Sequence, residues 1–348
     1  MEVKEFLIKL CESAHVSGFE SEGAGIVCEA FSEYLADVSL DKLGNVTGVK
    51  KGRGKGKLML AAHMDEIGLM VADIDDKGLV RFTALGGFDA RVFPAMEVTI
   101  HGREKIYGVI GIKPPHILPP EDAGKVFKAE DLFIDTGYGK ERLSGLVGVG
   151  DVITINSKAA DLKNGFLSAK SMDDSVGVAV LLSTIKYLER YDHDLDVYFV
   201  ATVQEELGCR GAKTSAYAIN PDMAIAIDVG FGKTPDVSDA KAIEMGMGPG
   251  IAIGPAIHPA IYDRLRDAAK GANLKYQIEV LPSRTGTDTD NMQISGNGVA
   301  TGVISVPLKY MHTPVETVKL DDIDQTGRLL AEFIRSFDGV ELEGALCL

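Results

Sequence analysis

Apolar residues change their spacing along this chain, and each spacing predicts a different element. Near the start, Phe6, Leu7 and Leu10 recur at helical intervals. Ile26, Val27, Ala30 and Phe31 do the same after Ser17 and Gly18. Two amphipathic helices are predicted there. LDKLGNVTGVK reads as a strand interrupted by the turn residues Gly44 and Asn45, and KKGRGKGK as a solvated basic turn, since no GK[ST] follows it. LMLAA at 58–62 is a continuous apolar run, the pattern of a parallel strand buried on both faces. From about 69 to 160 the chain has only short runs, LMVADI, LVRFTAL, MEVTIHG, YGVIGI and VGDVITI, broken by Gly and Pro with no convincing helix between them. After about 161 a helix at 174–189, a strand at 195–203, a helix at 211–218 and a strand at 223–228 follow one another. Helices beginning near Pro259 and Asp290, a strand at 299–306 and a closing amphipathic helix at 320–337 complete the pattern.

That alternation predicts an α/β fold, with a three-layer α/β/α domain around a mostly parallel sheet. Residues 1–68 and 161–348 would form this discontinuous domain, and 69–160 an inserted β-rich one.

Composition narrows the partners. The 348 residues carry a net charge of −15. That disfavours nucleic acid and anionic membranes, both of which need a basic surface. Cys11, Cys28, Cys209 and Cys347 form no CxxC pair or regular spacing, so neither a disulfide framework nor a structural zinc site is expected. The N-terminus lacks a signal-peptide pattern, and the longest apolar stretch, 176–182, is far short of the ~20 residues of a membrane span. A soluble cytoplasmic protein is expected.

The candidate chemistry gathers where strands end, which is where ligands bind in such sheets. LMLAA runs into His63, Asp65 and Glu66. The strand at 195–203 runs into Glu205 and Glu206, and MAIAI into Asp228. VATGVISVPLKYM leads to His312, and Asp173 and Asp174 open a helix. Each residue alone has a bland role, such as a helix cap for Asp173. Together these carboxylates would repel one another in one cleft unless divalent cations neutralised them. Imidazoles with carboxylates suit zinc, cobalt or manganese better than magnesium. Asp65, two residues beyond His63 in an extended segment, is placed to orient that ring. Glu205 and Glu206 would point to opposite sides, so that one ligates a metal and the other serves as a general base.

AAHMDEIG (61–68), AKSMDDSVG (169–177), VQEELGCRGA (203–212), AIDVG (226–230) and KYMHTPVE (309–316) together resemble the tetrahedral aminopeptidases, the glutamyl and deblocking aminopeptidase group of co-catalytic metallopeptidases. GIKPPHIL (111–118) and TGTDTDNMQIS (285–295) are similar to further family segments. The resemblance implies a pair of divalent ions, with zinc or cobalt foremost and manganese as an option. His63 and Asp228 would hold one ion, Glu206 and His312 the other, and Asp173 would bridge. Glu205 would be the general base acting on a metal-bridging water, with Asp65 supporting His63. Short peptides would be the substrates. The insert would be a PDZ-like or barrel-like dimerisation domain, with dimers assembling into a dodecamer. Ser175 departs from the Arg often found after the two aspartates. Similar sites also suggest a cis bond between Asp173 and Asp174.

Three other readings compete. A carboxypeptidase or N-acyl deacylase would use the same metal site. An endoglucanase, a label some family members have carried, needs two facing carboxyls and no histidine pair, and the chain has no Trp for a sugar platform. A scaffold with a degenerate site would lack the full donor set. Gly286, Thr287 and Asp288 are candidates for the substrate pocket. GMGPGIAIGP (246–255) is expected to serve close backbone packing, and His15, His101, His116, His193 and His258 are expected on the surface or in loops.

Overall fold

The structure is a computed structural model, and it describes residues 1–117, 128–235 and 237–346. Leu118, the last residue of GIKPPHIL, and Cys347 lie outside the described residues. In chain order, α1 (Val3–Cys11) and α2 (Ser21–Ser32) precede the hairpin β1 (Asp37–Leu40) and β2 (Val46–Lys50), then β3 (Lys57–His63). Next come β4 (Gly68–Ile74), β5 (Val80–Leu85), β6 (Glu97–His101), β7 (Lys105–Gly111), β8 (Phe133–Asp135), the short α3 (Lys140–Ser144) and β9 (Val152–Ile155). β10 (Ala160–Asp161), β11 (Phe166–Ala169), α4 (Met172–Leu188), β12 (Asp196–Thr202), α5 (Arg210–Ile219) and β13 (Met223–Phe231) follow. The chain closes with β14 (Gly250–Ile253), α6 (Pro259–Gly271), β15 (Gln277–Val280), α7 (Thr289–Met292), β16 (Ala300–Lys309), β17 (Glu316–Lys319), α8 (Leu320–Arg335) and α9 (Leu342–Ala345).

The strands form two separate systems. β4-β5-β8-β7-β6-β9 close into a barrel running from Gly68 to Ile155. Its strands alternate: on β7, Ile106, Gly108 and Ile110 are buried while Lys105, Tyr107 and Val109 are exposed. The barrel has its own core, including Leu69, Val80, Val98, Ile100, Ile134 and Ile153. The other strands form one sheet ordered β1-β2-β12-β3-β13-β16-β17-β11-β10, with β14 beside β16 and β15 beside β14.

The central run β12-β3-β13-β16 is parallel. The strands flanking it join antiparallel, and β15 then runs parallel to β14. The sheet is therefore mixed, and the expectation of a mostly parallel one is corrected to a parallel centre with antiparallel wings. The flanking strands are short, and their period-2 signal is too brief to distinguish pairing direction.

Alternation along the central strands explains their continuous apolar runs. Leu58, Leu60 and Ala62 of β3, with Met223, Ile225 and Ile227 of β13, enter the core that contains α1, α2, α4, α6 and α8 residues. Met59, Ala61, Ala224 and Ala226 point the other way, into a smaller core with Ala212 and Ala216 of α5 and Met292 of α7. Helices thus cover both faces, the condition for a buried parallel sheet. α4 is apolar nearly all round and is buried from Met172 to Ile185. Each fully buried Leu, Ile or Val there contributes ~1.5–3 kcal/mol. The glycines of 246–255 do serve close approach: a Cβ at Gly248 or Gly254 would lie 2.1 or 1.9 Å from a backbone carbonyl of the 275–281 segment. No helix among the described residues is long and apolar enough to cross a membrane. Of the histidines expected on the surface or in loops, His15 and His193 lie in loops but are buried.

One junction ties the sheet to the loop that carries Glu205 and Glu206. The Asn45 side-chain oxygen accepts from Val203 N at 3.0 Å, and Gly211 N donates to Val203 O at 3.0 Å. A Cβ on Gly211 would sit 2.2 Å from Asn45 Oδ1 and 2.5 Å from Val203 O. Gly211→Ala should therefore lower the unfolding free energy by ~1–3 kcal/mol, the size of a core overpacking defect. A urea melt with an unchanged midpoint would show that this contact does not constrain the loop.

Candidate metal centre

Parallel strands bring their carboxyl ends to one sheet edge, and here that edge is acidic. His63 closes β3 and lies in register with Thr202, the last residue of β12. Glu205 and Glu206 follow three and four residues later. Asp228 lies inside β13 rather than at its end, in register with Ser305 of β16. His312 follows β16, and Asp173 opens α4. The peptide between Asp173 and Asp174 is cis. Ser171, Gln204, Cys209, Tyr310 and His312 all adopt positive φ. Left-handed backbone at so many non-glycine positions is costly and clusters here with the candidate chemistry.

Asp173 is the centre of the arrangement. Its Oδ1 lies 3.1 Å from His63 Nε2, and its Oδ2 lies 3.3 Å from His312 Nε2. His312 Nε2 is also 3.3 Å from Glu206 Oε1. His63 Nδ1 reaches the backbone carbonyl of Asp65 at 3.0 Å, while the Asp65 carboxylate is 3.6 Å away. That carboxylate accepts instead from the backbone N–H groups of Glu205, at 2.9 Å, and Glu206, at 3.2 Å. Asp65 therefore steadies the ring through its main chain and the two glutamates through its side chain.

The electrostatics call for a cation. Burial opposes ionisation of Asp173, but hydrogen bonds to His312 and His63 outweigh it and hold its carboxyl below the ordinary range. Burial pushes Asp174 and Asp228 well up, and each raises the other or feels Asp173. Burial raises Glu205 to about 7. Hydrogen bonds to Asp173 and Glu206 raise His312 to about 11. His63 is also raised, because its two aspartate neighbours outweigh burial. The surrounding carboxylates thus draw positive charge toward both imidazoles. Among the described residues no Lys or Arg forms a salt bridge with Asp173, Asp174, Asp228, Glu205 or Glu206.

Donor chemistry fits divalent ions. Donor atoms of Asp173, Glu206 and His312 lie within 4.8 Å of one another, as do those of His63, Asp174 and Asp228. Asp174 Oδ2 is buried with no hydrogen-bond partner. Borderline-soft ions favour such mixed nitrogen and oxygen sets.

Several contributors escaped the reading of the sequence. Glu316 is buried, and its two oxygens accept from the backbones of Asp173 at 3.0 Å and His312 at 2.7 Å. It clamps together two segments 139 residues apart in sequence. Its only sequence signal is its place in KYMHTPVE. Gly86 and Gly87, from the barrel's β5 end, approach Glu206 and His312, where a Cβ would lie 3.3 and 3.1 Å from their side chains. Phe88 and Ile155 join His312, Glu206 and Asp173 in lining a small cavity, so the barrel segment forms one wall. A buried Lys170–Glu66 pair at 2.6 Å lies on another. His15 Nδ1 bonds to Ser13 Oγ at 3.1 Å, and burial lowers its pKa to about 4, so the ring is neutral. Ser175 is buried on α4 with an unpartnered hydroxyl.

The 286–288 candidates divide. Gly286 is exposed, with φ +70° and open space where a Cβ would go. Thr287 and Asp288 are buried. Asp288 accepts from Thr202 Oγ1 at 2.5 Å and does not line the small cavity.

A parallel-centred α/β sheet whose strand ends gather two imidazoles around a shared carboxylate, with a free acid beside them, defines a metal-dependent hydrolase. The chain belongs to the M42 glutamyl aminopeptidase family, which its residues 44–329 match. It is accordingly a peptidase of the aminopeptidase type from a family that uses divalent metal. It is 34% identical to the lysyl aminopeptidase of Pyrococcus furiosus, over 93% of this chain and 94% of that protein. Its fold is similar to the TET aminopeptidase of a marine sediment archaeon, Thaumarchaeota archaeon SCGC AB-539-E09, with TM-score 0.94 and 33% identity over 99% and 98% of the two chains. It is also similar to the Pyrococcus horikoshii TET1 peptidase, with TM-score 0.84 and 30% identity over 96% and 99%. That peptidase is described as assembling into a tetrahedron or a large octahedral shell.

Glu316→Ala should weaken metal retention by ~10–100-fold, the usual cost of losing a partner that orients ligands. Competition with a chromophoric chelator reads this directly. Affinity equal to the unsubstituted protein would show that Asp173 and His312 are positioned without it.

Proposed function

We propose that this chain is a dinuclear aminopeptidase that removes N-terminal residues from short peptides. His63 and Asp228 would hold one cation and Glu206 and His312 the other, with Asp173 shared. The observation that carries this reading is the opposed use of Asp173, one oxygen toward each imidazole. Zinc or cobalt suits the donor set best, with manganese as a further option. Bound divalent cations supply Lewis acidity and bring the pKa of a water to about 7.

The chain's own residues supply the rest. Among the described residues, no histidine lies within salt-bridge distance of Glu205, in contrast to Glu206. A carboxyl raised to about 7 is matched to proton transfer near neutral pH. Glu205 takes a proton from the attacking water as the new C–O bond forms, then delivers it to the amine nitrogen as the C–N bond breaks. Asp65, through the backbone of both glutamates, fixes where that carboxylate sits. Thr287 and Asp288 would border the same side of the cleft as Glu205, with Gly286 at its open rim.

Self-association belongs to the same proposal. The barrel exposes Tyr107 and Val109, and Val149 stands out just before β9. Dimers formed through this segment would assemble further into a dodecamer, as the likeness to TET peptidases supports. A cytoplasmic location belongs to the same proposal.

Glu205→Gln should lower kcat by ~10²–10⁴-fold, the range of general acid–base catalysis, while the metal content per chain stays unchanged. Activity close to that of the parent would remove Glu205 from this role. A second comparison separates the reading from a carboxypeptidase or deacylase. Peptides with a free N-terminal amine should be cleaved, their N-acetylated forms should not, and chelation should stop turnover. Cleavage of the acetylated form at a similar rate would point to a different co-catalytic hydrolase.

A further inference from the structure

Glu205 also belongs to a second group of donors. Cys209 Sγ donates to Glu205 Oε1 at 3.1 Å and approaches the Thr287 carbonyl at 3.4 Å. Donor atoms of Glu205, Cys209 and Asp288 all lie within 4.8 Å of one another. Asp288 is only 2% exposed. Its Oδ2 is held by the Thr202 hydroxyl, but its Oδ1 is buried with no partner at all. An orphaned carboxylate oxygen at this depth is expensive unless something binds it. No lysine or arginine among the described residues hydrogen-bonds to any of the three side chains.

We infer that Glu205, Cys209 and Asp288 form a third metal position, separate from the catalytic pair, that takes a thiophilic divalent ion such as zinc or cadmium and arrests turnover. A thiolate with two carboxylates is a donor set these ions accept. Tetrahedral zinc with bonds of ~2.0–2.3 Å places its ligand atoms ~3.5 Å apart. The observed spacing is within a side-chain adjustment of that. Thr202 already orients the Asp288 carboxylate, as partners of metal ligands do. On binding, the thiol proton leaves to solvent, and the S–H···O contact to Glu205 is replaced by a shared ion. No electron is transferred. Glu205 is partly exposed, while Cys209 and Asp288 are buried, so the ion reaches them past Glu205.

The effect on turnover rests on the reading of Glu205 as proton acceptor, because a carboxylate engaged by a cation no longer accepts a proton. The existence of the site does not rest on it. Enzyme loaded with two metal equivalents per chain is titrated with zinc while hydrolysis of an aminoacyl reporter is followed. Turnover should fall at least tenfold as a third equivalent binds, and in Cys209→Ser the midpoint of this inhibition should move at least tenfold higher. Asp288→Asn should shift it in the same direction. A parallel cadmium titration reads the ultraviolet charge-transfer band of a cadmium–thiolate bond, which Cys209→Ser should abolish. Equal midpoints in parent and both variants, or a cadmium–thiolate band that survives in Cys209→Ser, would overturn the site. Should the reporter not be turned over at all, the cadmium band still decides the site, and only the aminopeptidase reading falls.

Discussion

Everything at this sheet edge depends on one buried carboxylate that faces two imidazoles at once. Asp173 cannot sit there alone, because burial penalises its charge. It is held ionised by His63 on one oxygen and His312 on the other. Those partners come from the end of β3 and the segment after β16, so the charge balance joins the parallel centre of the sheet to the first turn of α4. Around it stand further acids that no lysine or arginine among the described residues neutralises, and cations are the simplest compensation.

The fold prepares that position at some cost. Both faces of the central strands are covered by helices, which frees the strands to run parallel and deliver their ends together. Backbone clamps then refine the geometry. Glu316 binds the main chains of Asp173 and His312, and Asp65 binds those of Glu205 and Glu206. Neither carboxylate needs to touch a substrate to matter. Left-handed residues at Ser171, Gln204, Cys209 and His312 mark where the chain bends to reach these clamps. The barrel's Gly86 and Gly87 come close to Glu206 and His312, where a Cβ would be in tight contact at 3.3 and 3.1 Å.

The central strands and α4 were legible because their apolar runs are long and continuous. The barrel was legible as a region of short, Gly-broken runs without long helices. The antiparallel wings were not, since β10 and β17 are only 2 and 4 residues long and carry no directional signal. His15 and His193 read as loop histidines, yet both are buried by segments distant in sequence. Glu316 lies in KYMHTPVE without an evident task, because its task is to bond two backbones that only the folded chain brings together. Cys209 looked like an isolated cysteine, and Asp288 like a pocket residue, until the turn after β12 and the segment before α7 were seen to meet.

By itself, the sequence determined which donors are available and that they follow buried strands, because apolar periodicity and strand-end residue types are local properties. Only the tertiary structure decided which oxygen of Asp173 faces which imidazole, that Asp65 serves Glu205 and Glu206 through its carboxylate, and that Cys209 lies against Glu205 and Asp288. Those are distances of 3 to 5 Å between residues many positions apart, and they are set by sheet register, helix packing and backbone turns that no local pattern encodes.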